Sequence, residues 1–204
     1  MVRLAAMRFY AGPWAGQETV MMMKGAWLAL LLAASSAYAA GPPDKGTVLA
    51  APCAGCHGTY GASPGRLTPV IGGQQQAYLK KSMQDFAAGK RPGSVMANFA
   101  KGYNDEQLTE MTTTIAGWRW INSSHAPKRA VKKPADHATC AACHGETGYG
   151  TAEGPRIAGQ ARPYLLEAMQ EYQTGKRDSA AMEMFKGLKD NDLNQMAAYY
   201  ARQK

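Results

Sequence analysis

The sequence predicts an all-α protein made of two tandem copies of one small domain. Three observations predict it. Shifted by about 86 residues, the chain overlays itself with only two single-residue gaps. In each copy the apolar residues recur at the 3.6-residue period of helices. No segment alternates apolar and polar residues as a half-buried strand does.

The elements follow in order. Residues 26–34, AWLALLLAA, are a short apolar run with Lys24 before it and Ala37, Tyr38 and Ala39 after it. That is the pattern of a secretory leader ending at Ala39. The run falls short of the roughly 20 apolar residues a membrane span needs. The expectation is therefore a signal peptide over 1–39, an exported, periplasmic bacterial protein, and no membrane span in the mature chain. The triplet Met21, Met22, Met23 ahead of Lys24 places the expected translation start at Met23.

The first copy spans 40–125, a Pro- and Lys-rich linker 126–136, and the second copy 137–204. Cys53, Cys56 and His57 overlay Cys140, Cys143 and His144. Pro69, Gly73, Gln74 and Tyr78 overlay Pro155, Gly159, Gln160 and Tyr164, and Arg91 and Met96 overlay Arg177 and Met182. A repeat of ~85 residues is too long for a solenoid unit and reads as a duplicated domain. Within each copy, a short helix ends at the His and a Gly- and Pro-rich loop follows it. The next helix carries Leu79, Met83 and Phe86, or Leu165, Met169 and Tyr172. Gly89 and Gly175 stop it. A loop with a Met follows. The last helix carries Leu108, Met111, Ile115 and Trp118, or Leu193, Met196 and Tyr200, with Asn104 and Asp190 or Asn191 as candidate caps.

The full chain carries a net charge of +8, and without the leader it keeps 20 basic and 14 acidic residues. Residues 40–125 hold 8 basic and 5 acidic side chains, the stretch 126–135 holds 4 and 0, and residues 136–204 hold 8 and 9. Such asymmetry orients a docking partner. No P-loop, zinc-finger spacing or nucleic-acid motif is present, so nucleic acid is not an expected partner. Lys128, Arg129, Lys132 and Lys133 read as a solvated linker, and His125 and His137 as surface histidines.

The chain has four cysteines, all in CAGCH and CAACH. Two disulfides are the ordinary expectation for an exported protein. Yet each Cys-x-x-Cys is followed at once by His, and no βαβ pattern surrounds it, so a thioredoxin-like role does not fit. C-x-x-C-H signals covalent haem attachment. Two such motifs imply two c-type haems, on Cys53 and Cys56 and on Cys140 and Cys143. A ~80-residue domain has a marginal core, and a covalently fixed haem enlarges it. His57 and His144 are then the proximal iron ligands. Their second ring nitrogens need acceptors, and the Pro69 and Pro155 carbonyls are the candidates.

The sixth ligand separates electron transfer from oxygen chemistry. A soft thioether closes the site and raises the potential. Met96 and Met182 each lie five residues past an Arg and three before a Phe, Phe99 or Phe185. Met184 is a rival in the second copy, which is one residue shorter after Phe185. Met83, Met169, Met111 and Met196 fall at core positions of helices.

On these motifs, over about residues 45–203, the chain resembles the di-haem cytochrome c4 family and the cytochrome subunit of flavocytochrome c, the sulfide dehydrogenase. CAACHGETG, IAGQARPYL and LKDNDLNQMAAYYARQ are similar to both. RPGSVMANFAKGY and AGQARPYLLEAM lean toward the flavocytochrome subunit. The resemblance implies two class I cytochrome c domains facing each other, with His57 and Met96 on one iron and His144 and Met182 on the other. It implies an electron-transfer protein rather than an enzyme, passing electrons between redox proteins such as an oxidase or a flavoprotein. The alternative is the haem subunit of a sulfide dehydrogenase, with flavin on a separate chain. This chain has no G-x-G-x-x-G to hold one. A di-haem peroxidase is a distant third, because it needs a site that opens.

Overall fold

The structure is a computed structural model that describes residues 42–204, so the expected leader over 1–39 and the start at Met23 lie outside the described residues. Among these residues there are helices and no strand. None of the helices is long and apolar enough to cross a membrane.

Asp44 opens the first half. Its carboxylate accepts the Thr47 N–H at 3.0 Å and caps α1, Lys45–Ala50. A 3-10 turn, Ala51–Cys53, leads into α2, Ala54–His57, which ends at the motif histidine. Another 3-10 turn follows at Thr59–Gly61. Then come α3 (Gln76–Ala87), α4 (Ser94–Ala100) and α5 (Asp105–Gly117). Asn104 caps α5 in a capping box: its side chain accepts from Gln107 N, and Gln107 accepts from Asn104 N, each at 2.9 Å. That satisfies two of the backbone N–H groups a helix start leaves open. The helix ends one residue before Trp118.

The second half repeats the plan with α6 (His137–His144), α7 (Arg162–Gln173), a 3-10 segment Ala180–Gly187 and α8 (Asp190–Arg202). Helices α3 and α7 stop where expected, with Gly89 and Gly175 N–H groups bonded back to Phe86 and Tyr172 O at 3.1 and 3.2 Å. Two expectations about the elements change. Met96 and Met182 lie on short helical segments rather than loops. Asp190 is the first residue of α8 and not its cap, a position Lys189 takes. Its first-turn acids, Asp190 and Asp192, still complement the positive helix end.

Each half has its own core, within one compact unit over Asp44–Lys204. The first core is Ala50, Leu79, Leu108, Met111 and Ile115. The second gathers Leu165, Met169, Phe185, Leu193, Met196 and Tyr200 around Cys140. Burying each such side chain stabilises the fold by roughly 1.5–3 kcal/mol. The linker over 126–136 forms no helix. Arg202 Nη1, near the end of α8, ties it down through the Pro127 and Lys128 carbonyls at 2.6 and 2.9 Å.

His137 corrects the surface reading. It is 2% exposed, its Nε2 lies 2.8 Å from the Glu146 carbonyl, and its ring stacks on Tyr200 at 6.0 Å between centroids. The linker delivers it into the second core at the first turn of α6. His125 is partly buried, with Nε2 2.9 Å from Pro64 O. Lys128, Arg129 and Lys132 are exposed as expected, while Lys133 pairs with Glu146 at 2.5 Å.

Candidate haem sites

The same local geometry builds both sites. Helix α2 ends on His57 and α6 ends on His144; Cys53 and Cys140 stand four residues before the ring, one helical turn, and Cys56 and Cys143 immediately before it, so the two cysteines of each motif are three positions apart, close to one turn. All four thiols are free, with no disulfide between them. Cys140 is buried, Cys53 and Cys143 partly so, and Cys56 is exposed. Burial pushes the Cys53 and Cys140 thiols above their ordinary pKa.

His57 Nδ1 lies 2.8 Å from Pro69 O, and His144 Nδ1 lies 2.7 Å from Pro155 O. These are the two carbonyls the sequence nominated. The contact makes Nδ1 the donor and leaves Nε2 as the free lone pair, the tautomer an iron ligand requires. Both rings are 7% exposed. Burial pulls both below the ordinary histidine pKa, outweighing the Pro carbonyl, and at His57 the charge of Arg91 adds to the effect. A neutral imidazole is the form that binds metal.

Met96 is partly buried on α4. In the second half both Met182 and Met184 pack against the core. Met111 and Met196 are 1% and 0% exposed, as helix-core residues should be.

The overlaid residues outside the motif join the two halves. Gln74 Nε2 donates to Arg156 O at 2.8 Å and its Oε1 accepts Arg156 N at 3.0 Å. Gln160 repeats this on Val70, with both bonds at 2.9 Å. Val70 and Arg156 themselves overlay, so the contact is self-complementary, as across a two-fold axis. The turn ahead of each Gln must pass close to its neighbours, backbone at Gly73 and the Asn122 side chain at Gly159. Gly73 and Gly159 have φ of +71° and +70°, and a Cβ would come 2.8 Å from Trp118 O at the first and 2.1 Å from Asn122 Oδ1 at the second.

A second reciprocal contact lies beside it. Arg91 Nη2 donates to the Tyr164 hydroxyl at 2.8 Å, and Arg177 Nη2 donates to the Tyr78 hydroxyl at 3.1 Å. Each guanidinium also stacks on an aromatic ring of its own half, Phe86 at 4.4 Å and Tyr172 at 4.7 Å. Both arginines are 8% exposed. Burial opposes ionisation of the Tyr78 phenol, but the two guanidinium charges outweigh it and hold its pKa below that of a free phenol. The sequence comparison had found these residues repeated without giving them a role.

This donor set fits a c-type haem in each half. The motif supplies two free thiols and an oriented imidazole. A thioether lies on a later segment. Two buried guanidiniums have no carboxylate partner among the described residues, which suits a group that carries carboxylates of its own.

The cytochrome c family model matches residues 129–202. Cytochrome c4 of Pseudomonas aeruginosa is 28% identical over 179 residues, or 80% of this chain and 89% of that protein. The cytochrome subunit of sulfide dehydrogenase from Chlorobaculum tepidum is 36% identical over 90 residues, or 39% of this chain and 81% of that protein. The solved structure of reduced recombinant cytochrome c4 from Pseudomonas stutzeri has the same fold, with a TM-score of 0.66 and 22% identity over 81% of this chain and 100% of that one.

Proposed function

This chain belongs to the di-haem c-type cytochromes, and from that premise we propose that it is a periplasmic electron carrier with His57 and Met96 on one iron and His144 and Met182 on the other. It transfers electrons rather than transforming a small substrate. The observation that carries the axial reading is the paired anchoring of the two imidazoles. With Nδ1 held by Pro69 O or Pro155 O, only Nε2 is free to ligate.

When bound, each haem supplies an iron that gains or loses one electron. The protein decides where that can happen. With His57 and Met96 holding one iron and His144 and Met182 the other, no position would be left for oxygen or peroxide. An outside redox centre is left with the exposed rim. Encounters of this kind bury little area, typically under ~1,200 Å², and are steered by charge. The exposed cations Lys128, Arg129 and Lys132, together with the basic first half, favour an acidic partner. Electron transfer to such a partner should slow as salt rises.

The match to a sulfide dehydrogenase subunit favours a second reading, in which this chain drains electrons from a separate flavoprotein. Purification from the native host separates the two. A flavin-containing complex that survives high salt and reduces its haems with sulfide would replace the free carrier. A flavin-free chain inert to sulfide supports it.

A further inference from the structure

A cavity of about 290 Å³ opens where the first half hands over to the linker. Its polar walls come from three separate parts of the chain. Arg66 belongs to the loop after the first motif, Ser124 and His125 stand just ahead of the linker, and Arg162 starts α7. Pro127 and Pro163 supply stiff apolar sides. No acidic residue lines the cavity, and none of the proposed haem ligands does.

The frame is tied at two points. His125 Nε2 lies 2.9 Å from Pro64 O, which joins it to the Arg66 loop. The Arg162 N–H donates to His125 O at 3.4 Å, which joins it to α7. The two cations are poorly satisfied. Neither Arg66 nor Arg162 takes part in an ion pair among the described residues. The Arg162 side chain makes one hydrogen bond there, from Nη2 to Asn194 Oδ1 at 3.1 Å, and its Nε is buried without a partner. Two like charges around one cavity repel, and partial burial of one adds to the cost. Only one half has this arginine. Gln76 overlays Arg162, and it donates its amide to Thr112 Oγ1 at 3.1 Å. Both halves anchor the motif histidine in the same way, so a cation that one half alone carries serves another purpose.

We propose that this cavity binds a tetrahedral oxyanion of the sulfate or phosphate kind, held between the Arg66 and Arg162 guanidiniums. The charges match, two fixed cations to one dianion. A guanidinium stays charged at every relevant pH and presents a fork of N–H donors shaped for such oxygens. Four oxygens let the ion accept from both arginines and from the Ser124 hydroxyl together. The size fits a small ion, since the sites of larger ligands run to roughly 300–1,000 Å³. Bound there, the ion draws together the first half, the linker and the second half, and it cancels the repulsion between the arginines. The site goes beyond electron transfer and uses neither haem.

Isothermal titration calorimetry of the holoprotein tests it, with sulfate and phosphate in separate arms and sodium chloride holding the ionic strength constant. One site per chain should appear in at least one arm, and the tighter arm identifies the ion. Arg162→Gln and Arg66→Gln should each weaken binding about tenfold, the loss of one charge-assisted hydrogen-bond donor. Arg129→Gln, on the exposed linker, should leave the affinity unchanged. The ion should also raise the melting temperature of the wild type, and less so that of the two variants. If Arg162→Gln does not fold, Arg66→Gln, at an exposed position, carries the test alone. Heat no greater than that of the chloride blank in both arms overturns the proposal. So does a site whose affinity either folded variant leaves unchanged, which would be an adventitious ion only, elsewhere on a basic surface. Haem content, read from the absorbance of the same samples, reports separately on the electron-carrier reading.

Discussion

The two halves agree where they face each other and differ at their outer ends. Around the junction, Gln74 and Gln160, Tyr78 and Tyr164, and Arg91 and Arg177 make the same bonds in both directions. Away from it, the first half packs small Ala50 near Ile115, and α1 closes that end through Lys45 to Glu106 and Glu110 at 2.9 and 3.0 Å. At the overlaid positions the second half has His137 and Tyr200, stacked on each other. The linker replaces α1 there. The difference teaches which constraints the duplication shares. Holding a haem and meeting the other copy are common to both halves. Closing the far end of the core is not, and each half does it with what precedes its motif.

The methionine segments give the largest test of that comparison. In the oxidised protein, the proposed ligand set, with one thioether to each iron, predicts that Met96→Ala and Met182→Ala each remove about half of the near-infrared sulfur-to-iron band. Met184→Ala should leave it whole. If Met184→Ala removes half and Met182→Ala none, the one-residue shortening after Phe185 has moved the ligand in the second half.

The cores come next. Tyr200→Ala should cost on the order of 3–5 kcal/mol, because it empties a fully buried site and strips the stacking partner from His137. Ile115→Ala should cost less, since Ala50 presents no ring to lose. Chemical denaturation followed by circular dichroism reads both. Equal losses would mean that the aromatic pair adds nothing specific.

At the junction the halves should respond alike. Gln160→Ala leaves the buried Val70 N–H and carbonyl unpaired, and Gln74→Ala does the same to Arg156. Each stranded group costs about 1–3 kcal/mol. Hydrogen exchange should show the Val70 and Arg156 amides losing protection in their respective variants. A loss in one only would break the two-fold equivalence.

The smallest effects belong to the first half alone. Asn104→Ala should cost about 1 kcal/mol by removing the cap of α5. Asp105, hydrogen-bonded to Lys80 Nζ at 2.8 Å, is held below the ordinary carboxylate pKa of 3.8 by that bond. A depressed carboxylate stabilises the fold above its unfolded pKa and loses that stabilisation as pH falls through its folded value. Asp105→Asn should therefore be slightly less stable than wild type at pH 7, with the gap closing below about pH 3.8. Leu166 stands at the Lys80 position of the second half, so this lysine–carboxylate bond has no counterpart there.

Much of this was legible in the chain. The motif, the helices and both Pro carbonyls could be read because they rest on local spacing and on residues 11 or 12 positions apart. The helical nature of the Met segments could not, because seven residues of SVMANFA are too few to show a period. The burial of His137 was hidden because its partners Tyr199 and Tyr200 lie on α8, far along the chain. The junction was half visible. Repetition marked Gln74, Tyr78 and Arg91, but their partners are 82, 99 and 73 positions away. No spacing rule links residues so distant.

The central claim is that one duplicated chain holds two haems through two equivalent motifs. Intact-mass measurement of the denatured protein, beside haem staining of the same sample, tests it most directly. The account predicts that the mature chain gains the mass of two haem groups, and that both stay bound through acid–acetone extraction. A gain of one haem, or loss of haem to the solvent, would contradict it.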